Sequence, residues 1–181
     1  MNILFGITKS PFGWIIAAET PQGICFVGLG KVKRFLVNEL LNNFPSALLT
    51  QNDKKLESTI LPLTEGFSER SLKQRIPLDL KGTPFQKTVW RSLIDIPPKT
   101  TLTYSELAAK IGTPRAYRAV GSACGKNPIS LIIPCHRVLG SSGQLSGYRW
   151  GLNTKRSILD WEKTSSKLPL NSSWVSYNDF S

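Results

Sequence analysis

The chain has 181 residues, of which 40% are hydrophobic, so it can bury a core of one domain or two small ones and is not globally disordered. Its apolar runs are far shorter than the ~20 residues that span a bilayer, and the first residues lack the features of a signal peptide. We therefore expect a cytoplasmic protein without membrane association. Three cysteines and one histidine argue against a disulfide framework and a structural zinc site, so no metal is expected.

The net charge of +11 is unevenly distributed along the chain. Residues 1–81 contribute +3, whereas residues 82–160 contribute +8 from eleven basic and three acidic side chains. A basic excess concentrated in one segment favours a polyanionic partner, with phosphate contacts supplying the affinity. Charge alone leaves open a basic surface that is simply solvated.

The first 81 residues predict a small α/β unit without a catalytic motif. Short apolar runs separated by turns that contain Pro and Gly are typical of a three-stranded meander. The runs are 3–8, 14–19 and 24–29. Apolar residues at helical spacing then begin at Phe35, and Pro45 ends this helix. A weaker helical pattern follows but is interrupted by Pro62, and residues 68–80 are predicted to be a connector.

From residue 82 onward the pattern becomes mainly helical, beginning with a threonine N-cap followed by proline. Two short helices, over 105–111 and 115–123, are joined by a tight turn that contains Gly112. This pattern is typical of a helix-turn-helix, although helical hairpins without a DNA function share it.

The second of these short helices is rich in Ala and Gly and lacks the Asn or Gln that reads adenine in the major groove. A thin helix can enter a narrow groove, so the composition predicts recognition of DNA shape and backbone rather than of sequence. The residues expected to contact DNA are Thr103, Arg115, Arg118, Ala119, Ser122 and Lys126.

The segment that carries chemistry is Pro134-Cys135-His136-Arg137-Val138, which follows a short apolar run over 130–133. It places a thiol next to the only imidazole of the chain, and histidine can take the proton of a thiol to give the reactive thiolate. Because adjacent side chains often point apart, the proton can pass through a water molecule. The alternative for the same residues is a buried thiol with a purely structural role.

This segment resembles the active-site signature of the O6-alkylguanine-DNA alkyltransferases, also called methylated-DNA–protein-cysteine methyltransferases. Other motifs of that family follow in the same order over residues 82–162, and the preceding unit is loosely similar to the smaller α/β domain of the family. They are Gly82-Thr83-Pro84-Phe85-Gln86, Val89-Trp90, Ile96-Pro97, Thr103-Tyr104, Arg118-Ala119-Val120-Gly121, Asn127-Pro128 and Gly147-Tyr148. Residues 147–151 are most similar to the bacterial adaptive-response members of the family.

The resemblance implies an α/β fold in three parts. A ribonuclease H-like domain with a three-stranded sheet and a helix is expected over 1–81, a winged helix-turn-helix-type domain with the active site over 82–162, and a tail over 163–181. The implied reaction is irreversible transfer of the alkyl group from O6-alkylguanine, and less well from O4-alkylthymine, to a protein cysteine. It occurs once per molecule and after base flipping.

The implied partner is double-stranded DNA that contains alkylated bases, and the protein is expected to be a monomer without a cofactor or a protein partner. By position in the family motifs, Cys135 is the acceptor, His136 its base through a water, and Glu162 the carboxylate that orients His136. Asn127 is expected to brace the turn at the active site. Tyr104 is expected to crowd the 3′ phosphate and to protonate the leaving guanine.

The family pattern also assigns Arg118 to the gap that the flipped nucleotide leaves in the stack. Tyr148, Arg149 and Trp150 are expected to line the base pocket. Many family members have glycine where this chain has Trp150, which predicts a narrower pocket that admits methyl better than benzyl. The alternative is that Trp150 packs under the loop as part of the structure.

Two other functions remain possible from the sequence. One is a non-catalytic lesion-binding relative, in which the acceptor cysteine is replaced, and the cysteine at position 135 argues against it. The other is a DNA-binding transcriptional switch that uses Cys135 as a sensor, and the lack of a recognisable effector domain argues against that.

Overall fold

A computed structural model describes residues 1–65, 76–165 and 175–177, and these contain eight strands and six α-helices. The strands are β1 Asn2–Ser10, β2 Gly13–Thr20, β3 Gly23–Gly30, β4 Leu48–Gln51, β5 Ile76–Leu78, β6 Leu102–Thr103, β7 Val138–Leu139 and β8 Val175–Tyr177. The helices are α1 Lys33–Asn43, α2 Asp53–Glu65, α3 Pro84–Ile94, α4 Tyr104–Lys110, α5 Tyr117–Gly125 and α6 Leu152–Thr164. Across these residues, the helices are too short or too polar to span a membrane.

Strands β1, β2 and β3 form the antiparallel meander that the turn pattern predicts. The prediction of a three-stranded sheet is nevertheless wrong, because the sheet has six strands in the order β4-β1-β2-β3-β5-β8. The three additional strands are three or four residues long, and each pairs in parallel with a neighbour in the sheet. Parallel partners are not joined by a tight turn, so the local sequence carries no signal for them.

Strand β8 belongs to the segment predicted to be a tail. It pairs in parallel with β5, and the Val175 side chain is buried, so this part of the segment docks on the sheet. Residues 66–75, within the predicted second helix and the connector, lie outside the described residues. Residues 166–174 and 178–181 of the predicted tail also lie outside them.

Helices α1 and α2 pack against strands β1–β3, and α2 continues through Pro62, where the sequence predicts an interruption. Proline inside a helix costs about 3 kcal/mol because it removes a hydrogen bond and crowds the preceding turn. Here Leu56 and Ile60 are fully buried in the shared core, and their burial offsets that cost. Gly6 of β1 allows the close approach, since a Cβ at that position would lie 2.6 Å from the Cβ of Leu56.

Helices α3, α4 and α5 pack together in the second half of the chain, with the Trp90 indole N–H donating to the Ala123 carbonyl at 2.9 Å. The second of the two short helices begins at Tyr117 instead of at Arg115 as the sequence predicts. Pro114 starts a tighter turn there, in which the Ala116 N–H donates to the Thr113 carbonyl at 2.8 Å. Arg115 therefore lies in the turn between the helices.

The segment that leads to the Cys-His pair is tied to the middle of the sheet. The Val27 N–H of β3 donates to the Pro128 carbonyl at 2.9 Å, and the Ser130 N–H donates back to the Val27 carbonyl at 3.0 Å. Residues 130–133 are buried as predicted, but they form an irregular turn in which Leu131 has a φ of 68°. The sheet therefore sets the depth at which the chain reaches Cys135.

Candidate active site

Cys135 opens a single 3-10 turn over residues 135–137 and is 7% exposed. Its Sγ accepts a hydrogen bond from Asn127 Nδ2 at 3.2 Å. Burial raises the pKa of the Cys135 thiol, while the hydrogen bond from Asn127 and the charge of Lys155 act in the opposite direction. The thiol is therefore largely protonated at rest and needs a base to become a nucleophile.

Asn127 follows α5 and links three parts of the turn that carries Cys135. Besides its bond to the thiol, Nδ2 donates to the Ile133 carbonyl at 2.8 Å, and Oδ1 accepts from the Ile129 N–H at 2.9 Å. The amide thus holds the turn closed and aims a donor at Sγ, the placement that the family resemblance leads us to expect.

Behind Cys135 lies a buried cluster of His136, Arg137 and Glu162. Nε2 of His136 lies 2.9 Å from Oε1 of Glu162, and Arg137 donates to the same carboxylate through Nη2 at 2.6 Å and Nε at 3.1 Å. Arg137 also donates through Nη1 to the Ile96 carbonyl at 2.6 Å. A bidentate arginine fixes the carboxylate, and the carboxylate in turn fixes the imidazole.

Burial alone would raise the pKa of Glu162, but its hydrogen bonds with His136 and Arg137 and the positive charge of Arg137 outweigh it and lower this pKa to about 2. Burial lowers the pKa of His136, although Glu162 opposes the shift. The imidazole is therefore neutral. Because an ionised carboxylate can only accept, Nε2 carries the proton and Nδ1 keeps a lone pair. Among the described residues, that buried Nδ1 has no hydrogen-bond partner.

Two buried cations of the site, Arg137 and Lys155, have no role predicted from the sequence. Lys155 of α6 is fully buried, and its Nζ donates to the carbonyls of Val138 at 2.6 Å, Ser146 at 2.8 Å and Gly147 at 3.3 Å. A signal existed, since the buried residues of α6 recur at helical spacing and include a lysine and a glutamate among apolar ones. They are Lys155, Ile158, Leu159 and Glu162.

Tyr104 contacts the loop over residues 146–151, which we call the active-site loop, and Tyr148 lies within it. The hydroxyl of Tyr104 donates to the Ser146 carbonyl at 3.3 Å, and burial, with Cys124 close by, raises the pKa of Tyr104 to about 12. Tyr148 is half-buried overall, and its hydroxyl oxygen is fully buried close to Ser130. Burial also raises the pKa of Tyr148, so both phenols remain protonated and can donate.

Arg149, predicted to line the base pocket, faces the N-terminal half of the protein. Its Nη2 and Nε donate to Oε2 of Glu39 in α1 at 2.5 and 3.0 Å. The guanidinium therefore bridges the active-site loop and α1.

Trp150 has the same orientation. Its indole N–H donates to Ser130 Oγ at 2.5 Å, and its ring packs edge-on against Phe26 and Phe35. Trp150 is also only 8% exposed. These observations favour the alternative in which Trp150 packs under the loop as part of the structure, rather than the one in which it narrows the alkyl pocket.

Five of the six residues predicted to contact DNA are exposed, and Thr103 is half-buried. The exposed ones are Arg115, Arg118, Ala119, Ser122 and Lys126, in the turn before α5, on α5 and just after it. The Arg118 guanidinium lies 5.7 Å from the ring of Tyr117, which is also exposed. Thr103 instead serves as the N-cap of α4, where its hydroxyl accepts from the Glu106 N–H at 3.2 Å.

Comparison with known proteins identifies relatives of this chain. The family model for the DNA-binding domain of 6-O-methylguanine DNA methyltransferase matches residues 84–164. The inducible methylated-DNA–protein-cysteine methyltransferase of Bacillus subtilis is 40% identical over 150 residues, which cover 82% of this chain and 84% of that protein. The methylated-DNA–protein-cysteine methyltransferase of Methanosarcina barkeri is 39% identical over 161 residues, which cover 89% and 98%.

The regulatory protein Ada of Salmonella typhimurium is also similar, at 39% identity over 162 residues. The match covers 90% of this chain but 46% of that protein, so the chain spans about half the length of Ada.

A solved structure of Mycobacterium tuberculosis OGT in complex with DNA has a TM-score of 0.71 at 32% identity, and the match covers 94% of this chain and 96% of that one. A methyltransferase structure from Pyrococcus kodakaraensis shares the fold, with a TM-score of 0.70 at 22% identity over 88% and 98% of the two chains. Since two relatives match along most of their length and the fold agrees, the chain belongs to the methylated-DNA–protein-cysteine methyltransferase family.

Proposed function

We propose that this protein repairs DNA by transferring the alkyl group of O6-alkylguanine to Cys135, irreversibly and once per molecule. The observation that carries the proposal is the buried series of Asn127, Cys135, His136 and Glu162, which supplies a donor to the thiol, a neutral base next to it and an ionised carboxylate behind the base. The names of the full-length relatives support the same reaction class.

In the proposed reaction, the Cys135 thiol gives its proton to Nδ1 of His136 through a bridging water. Glu162 accepts the hydrogen bond from Nε2 and stabilises the imidazolium that forms. Sγ then attacks the alkyl carbon in line, the sulfur–carbon bond forms, and the carbon–oxygen bond breaks with its electron pair moving to the guanine. The Tyr104 hydroxyl donates a proton to the leaving guanine, which departs as the repaired base.

The burial of Cys135 supports a reaction in which the base first leaves the duplex, since O6 within a base pair is hidden from a thiol that is 7% exposed. Flipping costs a few kcal/mol, and Arg118 at the exposed start of α5 is positioned to fill the gap. The product is a thioether, which is a poor leaving group, so the cysteine is not regenerated. O4-alkylthymine presents a similar alkyl–oxygen bond and is the proposed lesser substrate.

The same proposal assigns a role to each part of the fold. Strands β1–β5 with α1 and α2 make up a ribonuclease H-like domain over residues 1–81, and α4 with α5 is the DNA-binding part of a winged helix-turn-helix-type domain over 82–162. Residues 163–181 are a third segment. The partner is double-stranded DNA containing alkylated bases, bound by a cytoplasmic monomer without a cofactor.

Incubation with a duplex that carries one isotopically labelled O6-methylguanine tests the proposal. We expect the intact mass to rise by one labelled methyl and peptide mapping to place it on Cys135. Cys135→Ala should abolish transfer with nearly unchanged duplex affinity, while Cys25→Ala serves as the matched control at a buried thiol of the sheet. Binding without labelling would support a lesion-binding protein. A label on Cys25 or Cys124 would contradict the assignment, and a strong preference for one unmodified sequence would favour a transcriptional switch.

A further inference from the structure

We propose that the N-terminal half of this protein positions the active-site loop for alkyl transfer through a clasp formed by Glu39, Arg149 and Trp150. Glu39 belongs to α1, whereas Arg149 and Trp150 end the loop. The inference rests on the proposed function for its catalytic consequence, but the clasp itself can be measured without substrate.

The active-site loop is held at its beginning by residues from its own half of the chain. The Ser146 carbonyl accepts from the Tyr104 hydroxyl at 3.3 Å and from Lys155 Nζ at 2.8 Å. The Gly147 carbonyl accepts from the same ammonium at 3.3 Å. These bonds fix the loop up to the residue before Tyr148.

The end of the loop is held from the other half of the chain. Arg149 donates twice to Glu39, and the two side chains are 24% and 19% exposed, so the pair is partly withdrawn from water. Bidentate bonds in a partly buried site are stronger and more directional than an exposed ion pair. The guanidinium also lies 5.0 Å from the centre of the Trp150 ring and 5.9 Å from that of Phe26, which adds cation–π attraction.

The Trp150 ring continues this contact into the sheet. It packs edge-on against Phe26 of β3 and Phe35 of α1, with ring centres 6.3 and 6.4 Å apart. Gly28 of β3 makes the room, because a Cβ there would lie 3.0 Å from the indole. The indole N–H donates to Ser130, whose own N–H is bonded to β3, so the clasp also contacts the approach to Cys135.

Tyr148 lies between the two anchored ends, next to the hydrogen-bonded beginning of the loop and one residue before Arg149. If the clasp opens, Lys155 still holds Ser146 and Gly147, but Arg149 and Trp150 lose their contacts with α1 and the sheet, and Tyr148 loses the support of these two neighbours. Glu39 and Arg149 are therefore positioning residues, which act on the reacting base through Tyr148.

The first test compares Glu39→Gln with Glu19→Gln. Glu19 also lies in the N-terminal half, also pairs with a cation, Lys55 Nζ at 2.7 Å, and has a similar exposure of 24%. We expect Glu39→Gln to slow methyl transfer from duplex DNA and from free O6-methylguanine base alike, about three- to tenfold, as for an ion pair of about 1 kcal/mol. Amide hydrogen exchange over 146–151 should quicken, while Glu19→Gln should leave both the rate and the exchange unchanged.

The second test exchanges the charges. Glu39→Arg and Arg149→Glu should each slow transfer to the free base and quicken loop exchange, and the double variant should recover most of both losses, since the pair is restored in reverse order. A general loss of stability by either substitution would not be reversed in this way. A double variant no better than the worse single one would overturn the clasp, and so would a Glu39→Gln protein with the wild-type rate and wild-type exchange.

Failure of the clasp and failure of the proposed function give different results, because loop exchange is measured on the DNA-free protein. If the wild-type protein takes no methyl from DNA but Glu39→Gln quickens exchange over 146–151, the proposed function fails and the clasp stands. If the wild-type protein takes the methyl and Glu39→Gln changes neither rate nor exchange, the function stands and the clasp is overturned.

Discussion

The cluster behind Cys135 and the outer face of α5 use charge in opposite ways. Glu162, His136 and Arg137 are buried and bonded to one another in a fixed arrangement, whereas Arg118 and its neighbours on α5 are exposed. A buried charge is stable only with a partner, so removing one partner is costly. Exposed cations lose little on truncation and attract phosphates at long range. Substitutions in the buried cluster should therefore affect folding and proton transfer, whereas substitutions on α5 should affect DNA binding.

The largest effect is expected from Glu162→Gln, which removes the charge that compensates the buried Arg137. Breaking a buried pair in this way typically costs about 3–5 kcal/mol of unfolding free energy. Urea unfolding should show the loss, whereas Asp160→Asn, at an exposed position of the same helix, should change stability by less than about 0.5 kcal/mol. An equal loss of unfolding free energy in the two variants would contradict the conclusion that the buried charge matters more than the exposed one.

Acid should expose the same interaction without a mutation. Because the pKa of Glu162 in the folded protein is about 2, below its ordinary value, its ionisation favours folding above about pH 4.5 and this contribution is lost as the pH falls toward 2. The difference corresponds to about 3 kcal/mol. Carbon NMR of the Glu162 carboxyl should show it ionised through pH 4. Titration near its ordinary value would contradict the buried ion pair.

Lys155→Met should lower the transfer rate about tenfold to a hundredfold, because it removes a buried ammonium that satisfies up to three carbonyls near the active-site loop. Methionine keeps much of the side-chain volume, so packing is largely retained. Lys163→Met, at an exposed position of α6, is the matched control. Stopped-flow rates with a methylated duplex and urea unfolding of both proteins test this. Equal rates for the two variants would count against a role for Lys155.

The smallest effect is expected on the exposed face. Arg118→Ala should slow repair of duplex DNA about tenfold at saturating DNA, but it should leave the reaction with the free base nearly unchanged, because only the duplex must be opened. Arg118→Lys keeps the charge without the planar guanidinium and should recover only part of the rate.

Arg115→Ala is the control for Arg118, since it removes an equal charge from the adjoining exposed turn. We expect Arg115→Ala to weaken DNA binding, so that a higher concentration is needed to reach saturation. At saturating DNA, its rate of repair should equal that of the wild-type protein. If Arg118→Ala slows the duplex and the free base equally, its proposed role in flipping is wrong.

The elements that the sequence predicts well carry their signals locally. The turns of the meander β1–β3 contain turn-forming residues, and α3 is capped by Thr83, whose side chain and that of Gln86 form a reciprocal cap. Strands β4, β5 and β8 were missed because their pairing is decided by partners far along the chain. Pro62 was misleading because tertiary packing of Leu56 and Ile60 outweighs its local penalty.

The site also combines residues that local motifs predict with contacts that depend on distant parts of the chain. Cys135, His136 and Asn127 fall in short motifs, and the family pattern places Glu162. No local pattern reveals that Arg149 meets Glu39, 110 residues away in the chain, or that Trp150 turns toward the sheet. The directions of side chains in a loop depend on the surface against which the loop packs, and that surface comes from the other half of the protein.

The pairing of β5 with β8 has a consequence for synthesis on the ribosome. Strands β1–β3 can pair soon after they emerge. Strand β5 can pair with β8 only after residues as late as Val175, the partner of Ile76, have been synthesised. During that interval β5 is an open edge, and such edges can recruit strands from other nascent chains. β5 has only three residues, and a strand that short presents few backbone groups with which another chain can pair. The incomplete sheet therefore offers a poor template for aggregation while translation finishes.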